Sequence, residues 1–236
     1  MGEVSERLFP SMAALAPILA REIADRLAAG VKARGAASLI ATGGTTPGPL
    51  YDALAQADLP WERVSITLSD ERWVSPDDPA SNERLVRERL LQGPAARARL
   101  VPLKTGASDP AAAEAEVGQA LAALPRPFNA AVLGMGADGH VASLFPKDAA
   151  TLSALDFAEP RFACAVDRPG AAGAHRRLSL SFHALRQAAW TAILITGADK
   201  LAVARRAAVG GDVAELPVRG VLSGPGPVEF WWSEAK

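Results

Sequence analysis

Residues 130–146 read AAVLGMGADGHVASLFP, and how they fold decides the architecture of the chain. The opening AAVL is an uninterrupted apolar run, the pattern of a strand buried on both faces. It leads directly into glycines at 134, 136 and 139, the G-x-G-x-x-G spacing of a dinucleotide-binding turn. Two groups able to exchange protons, Asp138 and His140, flank Gly139. The loop therefore reads as a cofactor seat or as a catalytic site, and the surrounding sequence has to separate the two.

Outward from this stretch, strand and helix patterns alternate. The spacing predicts helices over 12–33, 46–56, 80–91, 110–124 and 199–209, with Thr46 as N-cap and Pro47 in the first turn of the second. Pro17 fits the first helix only near its first turns. Strands are predicted over 38–41, 64–68, 129–133, 178–181 and 192–196, with 228–232 closing the sheet at its edge. Strands separated by helices of this length predict an α/β fold with a mostly parallel, Rossmann-like sheet and helices on both faces. No internal repeat or polar low-complexity linker interrupts the pattern, so residues 1–236 read as one domain.

Composition removes several classes of function. A hydrophobic content of 49% with 22% charged residues describes a globular chain with a substantial core. A net charge of −1 gives no electrostatic reason for a nucleic-acid or anionic-membrane partner. The N-terminus MGEVSERLFPSM lacks the basic region and apolar core of a secretory signal. No uncharged apolar run approaches the roughly 18 residues of a membrane span. The single cysteine, Cys164, can form neither an internal disulfide nor a cysteine metal cluster. A cytoplasmic protein acting on a small molecule is the expectation.

In parallel sheets, ligands gather beyond the carboxyl ends of the strands. Four such ends carry unusual residues: TGGTTP at 42–47, SDER at 69–72, the loop at 134–146 and TGADK at 196–200. Gly43 and Gly44 allow backbone N–H groups to approach an anion, Thr45 and Thr46 add hydroxyl donors, and the following helix adds a positive dipole end. The plainer reading is an ordinary strand-to-helix turn. Asp70, Glu71 and Arg72 read as a solvated turn or, for Arg72, as a planar fork for an anionic group. Lys200 opposes the dipole of the helix it opens, which asks for a reason other than helix stability. Arg177, just before a strand, reads by itself as a surface charge.

A dinucleotide fingerprint must open a long helix. Pro146 follows Gly139 by seven residues, leaving room for a helix of one or two turns from His140. Glu159 stands about where a ribose contact would be, so spacing alone leaves NAD open. The acid–base reading is better supported. An imidazole ordinarily titrates near about 6.5 and accepts a proton at neutral pH. Asp138 can orient His140 or stabilise its charged form, and the glycines would leave backbone N–H groups free for a developing oxyanion. His175 reads as surface and His183 as packing. No H-x-x-x-H pair, acidic cluster or G-x-S-x-G elbow is present. The expected site needs no metal and no cofactor.

Taken in order, TGGTTP at 42–47, SDERWV at 69–74 with SN at 81–82, GMGADGHVASLFP at 134–146, RRLSLS at 176–181 and TGADK at 196–200 resemble the 6-phosphogluconolactonase family. The resemblance runs from about residue 10 to the C-terminus. Its departures are small: threonines stand for serines in the first loop, and Ala137 for a proline. It implies hydrolysis of 6-phosphogluconolactone to 6-phosphogluconate in the oxidative pentose phosphate pathway. It further implies His140 as general base and Asp138 as its partner, with Thr45, Thr46, Lys200 and Arg177 at the 6-phosphate. The backbone of the Gly136 loop or Arg72 would stabilise the oxyanion, and Gly43, Gly44 and Asp70 would complete the substrate contacts. The related glucosamine-6-phosphate deaminases carry a glutamate before the proline that ends this loop; here Phe145 stands there. A non-enzymatic sugar-phosphate sensor is a further alternative, but the chain has neither room nor a basic helix for a DNA-binding module.

Overall fold

The computed structural model describes residues 3–155 and 160–234. In chain order its strands and helices are β1 (Val4–Phe9), α1 (Met12–Arg34), β2 (Ala37–Ala41), α2 (Gly48–Ala55), β3 (Val64–Leu68), β4 (Asp70–Arg72), α3 (Asn82–Arg89), β5 (Arg99–Val101) and α4 (Pro110–Ala122). They continue as β6 (Ala130–Gly134), α5 (Ala149–Ala154), β7 (Ala163–Asp167), β8 (Arg176–Leu180), α6 (Phe182–Leu185), β9 (Thr191–Thr196), α7 (Ala198–Ala208), α8 (Val218–Leu222) and β10 (Val228–Ser233).

Seven strands form one parallel sheet in the order β1-β10-β9-β6-β2-β3-β5. Every residue of β2 and β3 is buried, as expected for strands covered by helices on both faces. From the central β2–β6 pair the chain winds outward in both directions, through β3 to β5 on one side and through β9 to β10 on the other. That reversal is the topological switch point, where the loops after adjacent strands diverge and leave a crevice. α1 is held by Ser11, whose hydroxyl accepts from the Ala14 N–H, and by Gly35 in the left-handed region at φ 76°. No helix among the described residues is long and apolar enough to cross a membrane.

Three features differ from the sequence expectation. β10 is not an edge: β1 lies outside it, pairing in parallel from Val4–Val228 to Phe9–Ser233. The VSERLF of β1 places charges on an outermost strand, which protects a sheet edge and hides its strand character. Second, β4, β8 and β7 form a separate antiparallel sheet. Ser69 joins the two sheets, donating its N–H to Ala41 O of β2 and accepting at its carbonyl from Leu180 N of β8. Third, α2 begins at Gly48 with Pro47 as N-cap and no side-chain cap, so Thr46 does not cap it. The Thr46 hydroxyl stays outside the helix, at the crevice.

Candidate active site

The crevice beyond β2, β3, β6 and β9 contains a cavity of about 220 Å³ that gathers all four sequence-marked strand ends. Thr45, Thr46, Asp70, Arg72, Gly136, His140, Arg177 and Lys200 all line it, as do Gly43 and Gly44. Asp138 is bonded to His140 at its rim.

The loop after β6 opens no helix. Val141 and Leu144 bridge across a tight turn, and Ala142 sits in the left-handed region at φ 52°. The short space before Pro146 holds no helix. It is filled by a turn that buries Val141, Ser143 and Leu144 and leaves His140 in the cavity wall. Without a helix N-terminus, the anion cradle of a dinucleotide fingerprint is not built here. Glu159, the ribose candidate, lies outside the described residues.

His140 Nδ1 is 2.6 Å from Asp138 Oδ1, which also accepts the His140 N–H at 3.1 Å. The hydrogen bond and charge of His140 hold the Asp138 carboxyl below its ordinary value. An ionised carboxylate only accepts, so Nδ1 carries the hydrogen and Nε2 is left as a bare acceptor, the form a general base needs. The Phe145 ring packs on the imidazole, centroids 4.7 Å apart and tilted by 41°. Gly136 is required beneath this pair: a Cβ there would come within 2.1 Å of His140 Nδ1 and 2.5 Å of Asp138 Oδ1.

The three glycine amides of this loop are engaged within the site. The Gly134 N–H donates to Thr42 Oγ1, the Gly136 N–H to His140 O, and the Gly139 N–H to Gly136 O. These amides shape the turn and are not free for an oxyanion. By contrast, the N–H groups of Gly44, Thr45 and Thr46 form no hydrogen bond with the described residues, and Gly44 is held at φ 90°. The first loop offers three consecutive open backbone donors.

The second surprise is burial. Asp70, Glu71 and Arg177 are 6%, 1% and 4% exposed, so neither the solvated-turn nor the surface-charge reading applies. Arg72 of β4 stands opposite Arg177 of β8 in register. Like charges directly across a ladder repel, so the pair asks for an anion between or before them. Arg177 is braced: Nε donates to Ala174 O at 2.9 Å, Nη2 to Ala172 O, and Nη1 to Ser143 Oγ at 3.3 Å. Burial, and the Arg72 charge beside it, pull its guanidinium below the ordinary arginine value against the opposing Asp70 charge. Arg72 is freer. Its Nη1 reaches Ala80 O at 2.8 Å, while its buried Nε has no partner among the described residues.

Asp70 accepts from Ser69 Oγ at 2.9 Å and Ser143 Oγ at 2.6 Å, tying the His140 loop to the small sheet. Lys200, in the first turn of α7, forms no hydrogen bond or ion pair with the described residues and lines the cavity as a cation. Sequence reasoning passed over Asn82 and Ser143 as site residues. The Asn82 amide donates to Asp70 O at 2.8 Å and lies so close to Gly43 that a Cβ there would meet its Oδ1 at 1.8 Å. The SN pair at 81–82, an N-cap followed by a polar N1 residue, was its only trace in the sequence. Ser143 left none. His175 is exposed and paired with Asp167, and His183 packs against Phe162, both away from the cavity.

Comparison with known proteins agrees with this geometry. The model of the glucosamine-6-phosphate isomerases/6-phosphogluconolactonase family matches residues 10–232, and the chain belongs to that family. A 6-phosphogluconolactonase of Rhizobium meliloti is 40% identical over 227 residues, covering 96% of this chain and 97% of the relative. The crystal structure of a 6-phosphogluconolactonase from Shewanella baltica superposes with a TM-score of 0.93 at 40% identity, covering 98% of each chain. A monomeric glucosamine-6-phosphate deaminase shares the fold at a TM-score of 0.72 and 19% identity, with 97% of each chain covered.

Proposed function

We propose that this chain hydrolyses 6-phospho-D-glucono-1,5-lactone to 6-phosphogluconate, with His140 as the general base. The observation that supports it best is the Asp138–His140 pair, which leaves a bare imidazole nitrogen in a cavity otherwise walled by anion-binding groups. His140 Nε2 takes a proton from water as the water attacks the lactone carbonyl. Asp138 fixes the tautomer and stabilises the imidazolium that forms. Because the glycine amides of the 134–146 loop are engaged, Arg72 is the donor we assign to the developing oxyanion. Collapse of the tetrahedral intermediate breaks the ring C–O bond, and the imidazolium returns its proton to the leaving hydroxyl.

The open amides of Gly44, Thr45 and Thr46, the threonine hydroxyls, the start of α2 and Lys200 take the 6-phosphate. Arg177, with three N–H groups occupied, contributes charge and holds Ser143. Asp70 braces Ser143 in the same network. The deaminase alternative is weakened at Phe145: the position where the related enzymes place a carboxylate holds an apolar ring against His140. Residues 1–236 act in this reading as one cytoplasmic unit with a small-molecule substrate, no nucleic-acid or membrane partner, and no metal or cofactor. Proton release from freshly prepared lactone, measured above spontaneous hydrolysis, tests the proposal; a rate equal to background would overturn it.

A further inference from the structure

Glu71 lies outside the cavity, yet its carboxylate is among the most heavily bonded groups in the protein. It is 1% exposed. Oε1 accepts the N–H groups of Arg72 at 2.7 Å and Asn82 at 2.8 Å; Oε2 accepts Ser81 Oγ at 3.0 Å and the Glu83 N–H at 2.7 Å. Burial nonetheless pushes the carboxyl above its ordinary value, against these four donors. Burying a carboxylate is costly unless its oxygens are satisfied, so a group placed here asks for a role that an apolar residue could not fill.

The four donors belong to two segments that each deliver a group to the cavity. One is β4, three residues long and carrying Arg72. The other is the start of α3, carrying Asn82, whose amide locks onto Asp70 O and fills the space beside Gly43. Arg72 is thus braced at both ends on one stretch, its guanidinium on Ala80 O and its own N–H, through Glu71, on residues 81–83. We propose that Glu71 is a positioning residue for the reaction, setting Arg72 in the cavity wall and Asn82 beneath the first loop without touching substrate. The role of Arg72 rests on the lactonase reading above; the brace itself rests on the bonds just given.

A double-mutant cycle tests it. Glu71→Gln keeps the shape but sets an NH₂ group against two N–H or O–H donors. It is expected to lower kcat/KM for the lactone about 10- to 100-fold in the otherwise native enzyme, and less than about threefold in an Arg72→Ala background. A structural role alone would give the same loss in both backgrounds, and that result would overturn the proposal, as would no loss at all. The acid limb of kcat should not move in Glu71→Gln, because His140 stands on a separate loop; a shifted limb would equally overturn it. Should Glu71→Gln fail to fold, Ser81→Ala enters the same cycle. It removes one donor, with an expected loss of about two- to fivefold that also disappears beside Arg72→Ala. Calorimetric titration with 6-phosphogluconate repeats the cycle without turnover, the product carboxylate probing Arg72. Native enzyme that binds this ligand without hydrolysing the lactone would sink the lactonase reading and leave the Glu71 test standing.

Discussion

The two sides of the cavity are built on opposite principles. The base side, Asp138 and His140, is 50% and 32% exposed at its side chains and depends on two hydrogen bonds to a single oxygen, Asp138 Oδ1, within one loop. The anion side, around Asp70, Glu71 and Arg177, is buried and tied through serine hydroxyls, backbone carbonyls and helix amides from several elements. The difference follows from what each must do. A base must exchange its proton with water and tolerate both charge states, so solvent access serves it. Two arginines facing each other across a ladder repel, and only a rigid, satisfied frame keeps them together before the substrate arrives. Substitutions on the base side should alter rate and pH dependence with little effect on folding, and those on the anion side should alter binding and stability together.

The strongest test of the base side is His140→Asn. Asn matches much of the shape and leaves the half-exposed site intact, so thermal stability and product affinity should hold. kcat should fall by about 10² or more, the loss typical of a positioned base. The acid limb of the native profile should vanish with it. A folded variant with nearly native kcat would end the assignment.

Gly43→Ala probes the opposite side. Its Cβ would meet the Asn82 amide at 1.8 to 2.6 Å, and that amide is anchored to Asp70 O. Overpacking of this kind costs about 1–3 kcal/mol. A lower melting temperature together with a raised KM is expected. Loss of stability with unchanged KM would show that the frame and the phosphate loop are independent.

The contrast between the two sides also explains what the sequence could reveal. Residues 130–146 were readable because strand, turn and the Asp138–His140 pair are contiguous, and β2, β3, β6 and β9 are runs whose burial is written locally. The small antiparallel sheet was not readable. It pairs Asp70 with Ser179 and Arg72 with Arg177, and no local pattern announces that partners so distant in sequence will bury each other. Arg177 reads as surface because its neighbours are polar; it is buried because β8 lies between β4 and β7. The glycine amides misled for the reverse reason. Their spacing permits free donors, but the turn at Ala142 and the carbonyls of Gly136 and His140 take them up.

Lys200 sharpens the comparison from the edge of the anion side, since it has no partner among the described residues to lose. Lys200→Ala should leave the melting temperature unchanged, and removing the cation opposed to the α7 dipole slightly favours the helix. KM for the phosphorylated lactone should rise about tenfold, the loss of one charge-assisted hydrogen bond, with little change for unphosphorylated gluconolactone. Equal effects on both substrates would remove Lys200 from the phosphate.

Asp138→Asn should give the smallest change in rate and the clearest change in pH dependence. Asn Oδ1 can still accept from Nδ1, so the tautomer survives and the plateau kcat should fall only a few-fold. The charge is what disappears. In the native protein His140 holds the Asp138 carboxyl below its ordinary value, chiefly through the hydrogen bond between them. Removing a negative charge beside an imidazole disfavours the charged ring, so the acid limb of kcat is expected to move to lower pH. Stability follows the carboxylate itself. Its depressed folded-state value contributes stability above the unfolded aspartate range, near pH ~4, and that contribution is lost as pH falls through the folded value. The group is half exposed, so the contribution is small, and the variant should differ from native only by a slightly flatter acid stability curve. Spontaneous lactone hydrolysis also rises with pH and has to be subtracted at every point. An acid limb that stays in place would mean that the carboxylate orients the ring without tuning it, and the base side would then be as purely geometric as the frame opposite.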